Sequence, residues 1–188
     1  MRFARFAFAA TLLVAPLAAQ GVQPTNDAPN PDTTVKDFFK LPEGRTWGST
    51  SAVDIDKDGK SIWVAERCGQ NSCLDRATGK MSDLPTVLKF DPSGKVVKSF
   101  GAGMFIFPHG ATVDRDGNLW VTDAGGDGAK GHQVFKFSPD GAVLMTLGKA
   151  GVSGSGSDLF DQPTTSSSRQ AATSSSPTAI ATGRTTAS

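Results

Sequence analysis

Val87–Val96 recurs, without a gap, as Val134–Val143, so that Phe90 and Phe137 stand 47 residues apart. A gapless internal copy at this period limits the chain to folds assembled from repeats of one supersecondary unit. A second pair of segments agrees: Val53–Glu66 matches Ala111–Asp123 with one insertion. A third start appears at Phe160-Asp161-Gln162-Pro163-Thr164, echoing Phe107-Pro108-His109-Gly110-Ala111.

Each copy carries the same local instructions. Ala111–Val113 is apolar and runs into Asp116-Gly117, where glycine can reverse the chain with φ > 0. Leu119-Trp120-Val121 then reads as a second strand and Val134–Phe137, with alternating faces, as a third. Pro139-Asp140-Gly141 turns the chain again, and Val143–Leu147 closes the unit. Four short strands per repeat of roughly 40–50 residues is the pattern of a propeller blade. A β-sandwich also uses short strands and glycine turns, but does not predict the copy. The expected fold class is therefore all-β: an incomplete β-propeller, about two blades plus the start of a third. About three stacked repeats are usually needed for stability, so a marginal or insoluble product is expected.

Asp54-x-Asp56-x-Asp58-Gly59 looks like the start of a calcium-binding EF-hand loop. Its twelfth position should be a bidentate Glu and is Ala65. The flanks are strand-like, so these aspartates read as hairpin-turn residues.

The first residues look like a targeting segment. Arg2 and Arg5 precede the apolar run Phe6–Val14, Pro16, and the small residues of Leu17-Ala18-Ala19. That order and shortness suit a signal peptide cleaved after Ala19; a membrane span needs about 20 apolar residues. The chain is thus expected to be exported, periplasmic or secreted. Residues 20–45, with Pro24, Pro29 and Pro31, read as a leader. The blades are placed at 46–104 and 105–159, and the third start and tail at 160–188. In an oxidising compartment Cys68 and Cys73 are expected to form a local disulfide; a metal site would need further soft ligands, and the chain has no other cysteine. A formal net charge of +1 gives no pull toward nucleic acid or anionic membrane.

Phe107-Pro108-His109-Gly110, Asp116–Asp123, His132–Phe137 and Phe160–Thr164, in that order, resemble the first half of peptidyl-α-hydroxyglycine α-amidating lyase and its bacterial NHL-repeat relatives. The likeness covers about Thr46 to Thr164. It implies a six-bladed propeller with zinc in the central channel, held by three histidines from different blades, the first being His109. It implies that Arg67 is at the active site, where a guanidinium neutralises a carboxylate or developing oxyanion. Backbone carbonyls at Val53 and Ala111 match positions that help hold a structural calcium. The reaction implied is C–N cleavage of peptidyl-α-hydroxyglycine to a peptide amide and glyoxylate.

The chain departs from that pattern. It has no tyrosine, whereas the lyase uses one in an Asp-Gly-Tyr loop, and no histidine follows His132. Catalysis by this chain alone is not expected. From Thr165 to Ser188 nearly every residue is Ser, Thr or Ala. Such a tail reads as a disordered stalk. A shifted reading frame is preferred: read from the preceding third base, G/C-ending codons for this tail would encode Pro-Thr-Asp-Val-Val-Val-Ala-x-x-Gly-Asp-Ile-Phe-Val-Ala-Asp-Gly-Tyr, the next blade. Two function classes follow. One is a zinc-dependent lyase relative acting on a peptide or small molecule. The other is a non-enzymatic NHL propeller that binds a protein or ligand. Either would be a monomer if complete.

Overall fold

A computed structural model describes residues 29–166. The chain divides into two compact units, Met1–Val35 and Lys36–Ser188. In the first, the Asp32 amide donates to Asn30 Oδ1 at 2.9 Å. The signal-peptide reading of residues 1–19 and the reading of the tail beyond Ser166 fall outside the described residues.

The second unit contains ten strands among the described residues: β1 (Thr50–Ile55), β2 (Ile62–Glu66), β3 (Leu74–Asp75), β4 (Lys80–Met81), β5 (Val87–Phe90), β6 (Val96–Phe100), β7 (Pro108–Val113), β8 (Leu119–Gly126), β9 (Gly131–Phe137) and β10 (Val143–Leu147). They form two antiparallel four-stranded sheets with the same order, β1-β2-β5-β6 and β7-β8-β9-β10. The small β3-β4 hairpin is inserted between the second and third strands of the first sheet. The chain is all-β, with two blades of an incomplete propeller.

Four hairpin turns share one design. Gly59, Gly94, Gly117 and Gly141 have φ of 70°, 80°, 87° and 88°. Each glycine amide donates to the carbonyl three residues back, on Asp56, Asp91, Asp114 and Ser138. A left-handed residue in that place is open to glycine and strained for others, which fixes the turn and the register of the flanking strands.

The sheets stack face to face. Trp63, Ala65 and Val87 of the first meet Leu119, Val121, Phe135 and Phe137 of the second, with Phe105 between them. Full burial contributes about 1.5–3 kcal/mol for each large apolar side chain, so this shared core outweighs any single polar link. The equivalent outer face of the first sheet, Val64, Leu88 and Phe90, is covered by Phe39 and Leu41. Phe39 sits 4.6 Å from Phe90, ring centroid to centroid. Lys40 donates its amide to Gly94 O at 2.8 Å. Residues 38–45, read from sequence as leader, therefore belong to the packed unit.

Candidate functional site

Strands β1 and β7 occupy equivalent places in the two sheets and lie side by side. The Val113 amide of β7 donates to Asp54 Oδ2 of β1 at 2.7 Å. On its other side β7 meets the segment that begins the third repeat. Thr112 Oγ1 donates to Ser166 O at 2.8 Å. A Cβ on Gly110 would stand 2.6 Å from Thr164 O, so glycine is what lets that segment approach.

His109 is the second residue of β7 and is half-buried. Its Nδ1 is 3.2 Å from Thr164 O. A carbonyl only accepts, so Nδ1 carries the proton and the Nε2 lone pair is left for a ligand. Metal-bound histidines are held in this way by a carbonyl on the other ring nitrogen. Among the described residues no group of three or more His, Cys, Asp or Glu is placed to hold a metal. The donor chemistry of His109 thus fits one zinc ligand, and the described residues supply that one. Val53 and Ala111, the fourth residues of β1 and β7, pair with Val64 and Val121 at equivalent register positions. His132, the second residue of β9, has φ 54°; its ring lies where a Cβ on Gly126 would go.

Arg67 follows β2 and is 9% exposed. It is not a solvated loop residue. Its Cζ lies 3.4 Å from the centroid of the Phe107 ring. Nε donates to Pro108 O at 3.2 Å and Nη1 to Asn71 Oδ1 at 2.9 Å. Among the described residues no carboxylate pairs with it within salt-bridge distance. Burial pulls its guanidinium below the ordinary value, yet arginine keeps its charge in proteins. The Phe107 and His109 rings are 6.3 Å apart, so Arg67 and His109 flank one short segment.

That segment is held from both sides. Asp123, fully buried on β8, accepts the amides of Ile106 at 2.9 Å and Phe107 at 2.7 Å. Burial raises its carboxyl, the amides of Ile106, Phe107 and Gly125 oppose that, and the outcome is about 6. The carbonyl of Ile106 accepts from the Cys73 amide at 3.0 Å and from Ser72 Oγ at 3.1 Å. Cys68 and Cys73 form the expected disulfide, with Cα atoms 5.1 Å apart. Glu66 of the first sheet repeats the Asp123 arrangement. It accepts the amides of Gly48 and Gly69, each at 2.9 Å, and pairs with Arg45.

Each sheet also carries a buried Asp–Trp–Lys network that sequence reading missed. Asp56 accepts Trp63 Nε1 at 2.7 Å and Lys89 Nζ at 2.9 Å. Asp114 accepts Trp120 Nε1 at 3.1 Å and Lys136 Nζ at 2.9 Å. Burial alone would raise Asp114; Lys136, the Asn118 amide and Trp120 outweigh it and pull the carboxyl to about 2. Asp56 is lowered by the same balance. The aspartates of the false calcium loop are thus used up in structure: Asp54 on Val113, Asp56 in this network, and Asp58 on the amides of Lys60 and Ser61.

Residues 105–137 match the family profile of the NHL repeat. The chain carries an NHL repeat. The match spans β7, β8 and β9 of the second sheet, and the first sheet has the same strand order. The chain is 48% identical over 109 residues to peptidyl-glycine alpha-amidating monooxygenase A of Xenopus laevis, covering 56% of this chain and 11% of that protein. It is 37% identical over 130 residues to peptidyl-alpha-hydroxyglycine alpha-amidating lyase 1 of Drosophila melanogaster, covering 62% and 23%. It is 30% identical over 121 residues to NHL repeat-containing protein 3 of Mus musculus, covering 62% and 30%. The likeness to the amidating lyases thus covers somewhat more than half of this chain, while the aligned part spans a third or less of each of these relatives.

Proposed function

We propose that this NHL-repeat chain is the N-terminal part of an exported, zinc-dependent relative of the peptidyl-α-hydroxyglycine amidating lyases. The observation that carries the reading is the His109–Thr164 contact, which leaves Nε2 of this β7 histidine free as a ligand. Zinc held there would polarise the α-hydroxyl oxygen as a Lewis acid. Three-histidine zinc keeps a position open for substrate, and His109 is one such ligand. Arg67, charged and without a carboxylate partner among the described residues, would hold the glycolate carboxylate or a developing oxyanion. In the reaction the α-hydroxyl loses its proton and its oxygen becomes the aldehyde oxygen of glyoxylate. The C–N bond breaks, its electron pair goes to nitrogen, and nitrogen takes a proton to become the amide. A calcium held in part by the Val53 and Ala111 carbonyls would brace the inner strands.

The chain has two histidines and no tyrosine. The remaining zinc ligands and the catalytic tyrosine would come from residues beyond these, so the 188 residues alone are inactive in this reading. The test compares the 188-residue chain with a polypeptide whose reading frame is restored after Thr164. Both are given a peptidyl-α-hydroxyglycine and glyoxylate is measured. Release by the restored protein alone supports the reading; no release by either, with zinc supplied, contradicts it. A second reading is a non-enzymatic NHL-repeat module that binds a protein or ligand. Resequencing the gene across the tail tests the frame itself: codons that do not yield the next blade rule it out.

A further inference from the structure

The loop closed by Cys68 and Cys73 does more than shorten a connection. It carries Asn71, whose Oδ1 accepts both Arg67 Nη1 and Ser49 Oγ, each at 2.9 Å. Both partners donate, so the amide orientation is fixed with its oxygen toward Arg67. Ser72 and Cys73, the next two residues, donate to Ile106 O. One short loop therefore grips the guanidinium at its Nη1 edge and the segment bearing Phe107 and His109 at its backbone. The Phe107 ring fixes the guanidinium plane and Pro108 O takes Nε. A guanidinium held on its face and two edges points its remaining donors in one direction, which is the condition for selective binding of a planar anion.

We propose that Asn71 is a positioning residue for Arg67, held in place by the Cys68–Cys73 disulfide. This rests on reading Arg67 as an active-site cation, but its test does not use turnover. Protons stacked on an aromatic face resonate upfield, so the Arg67 Hδ and Hε signals report the stack on Phe107. In the oxidised 188-residue chain these signals are expected well upfield of free arginine. Asn71→Ala, or reduction of the disulfide in the unmutated chain, is expected to move them toward free-arginine positions. The amide signals of β8 and β9 are expected to stay in place. Asn71→Asp keeps an oxygen acceptor and is expected to retain the upfield shift. Where Asn71→Ala does not fold, Asn71→Ser, whose hydroxyl is too short to reach, is read in the same way. Arg67 signals that stay upfield in both Asn71→Ala (or Asn71→Ser) and the reduced chain overturn the proposal, because Phe107 and Pro108 alone would then hold the side chain. Failure of the lyase assay with Arg67 responding as expected would overturn only the assignment of chemistry.

Discussion

Asp54 Oδ2, on β1, accepts the amide of Val113 from β7 at 2.7 Å. The bond joins β7 of the second sheet to β1 of the first. It also explains why the first aspartate of the calcium-like triplet carries a carboxylate without a calcium loop around it. A hydrogen bond to a charged group contributes about 1.5–3 kcal/mol. Asp54→Ala is expected to lower stability by about that amount in urea denaturation, with the slope on denaturant unchanged. Asp58→Ala, which leaves the blades joined, is expected to cost less.

The two buried aspartates of the second sheet give opposite pH dependences. Asp123 is raised to about 6 in the folded chain, above its ordinary value of 3.8. Its protonated form is favoured by folding, so stability falls as pH rises from about 4 to 6 and stays reduced above that, by roughly 3 kcal/mol. Asp114 is lowered to about 2; its contribution is full above about 4 and is lost as pH falls toward 2. Denaturation followed from pH 2 to 7 is expected to show a maximum near pH 4. Asp123→Asn is expected to flatten the acid-to-neutral decline and leave the low-pH loss intact.

Gly110 lets Thr164 O come within 2.6 Å of where a Cβ would be. Gly110→Ala must push the third-repeat segment off β7, at a cost of about 1–3 kcal/mol. His109 Nδ1–H then loses its acceptor. Nitrogen NMR of the imidazole is expected to show the single Nδ1–H tautomer in the parent chain and a mixture in Gly110→Ala.

Glu66 is completely buried and takes its compensating charge from Arg45. Arg45→Ala leaves a buried carboxylate unpaired, which costs about 3–5 kcal/mol. Phe39→Ala opens the aromatic cover on Phe90 and is expected to cost about 2–3 kcal/mol. Both residues lie where the sequence suggests a leader, so thermal unfolding of the two variants measures how far the folded unit extends upstream.

The repeat was legible because its signals are local. Asp-Gly turns and alternating apolar faces recur at fixed spacing, and those mark the strands of both sheets. His109 stood out through the Pro-His-Gly motif, which the structure places in strand β7. The Asp–Trp–Lys networks were not legible, because Asp56, in the turn after β1, and Lys89, on β5, are far apart in sequence and look like ordinary turn and surface residues. Asp123 and Glu66 were hidden for the same reason: their partners are backbone amides, which leave no mark on residue type. Phe38 and Phe39 were passed over because prolines and polar residues surround them. Arg67 could be found only through the family likeness; its stacking on Phe107 joins residues 40 positions apart.

Zinc content decides the central claim, that stacked copies of one blade aim the His109 ring at a shared ion. The protein with its frame restored after Thr164 is purified with zinc present, dialysed, and its metal measured alongside His109→Ala. One zinc per chain in the parent and a loss of binding in His109→Ala is the predicted result. A parent that holds no stoichiometric zinc, or a His109→Ala variant that holds as much as the parent, contradicts it.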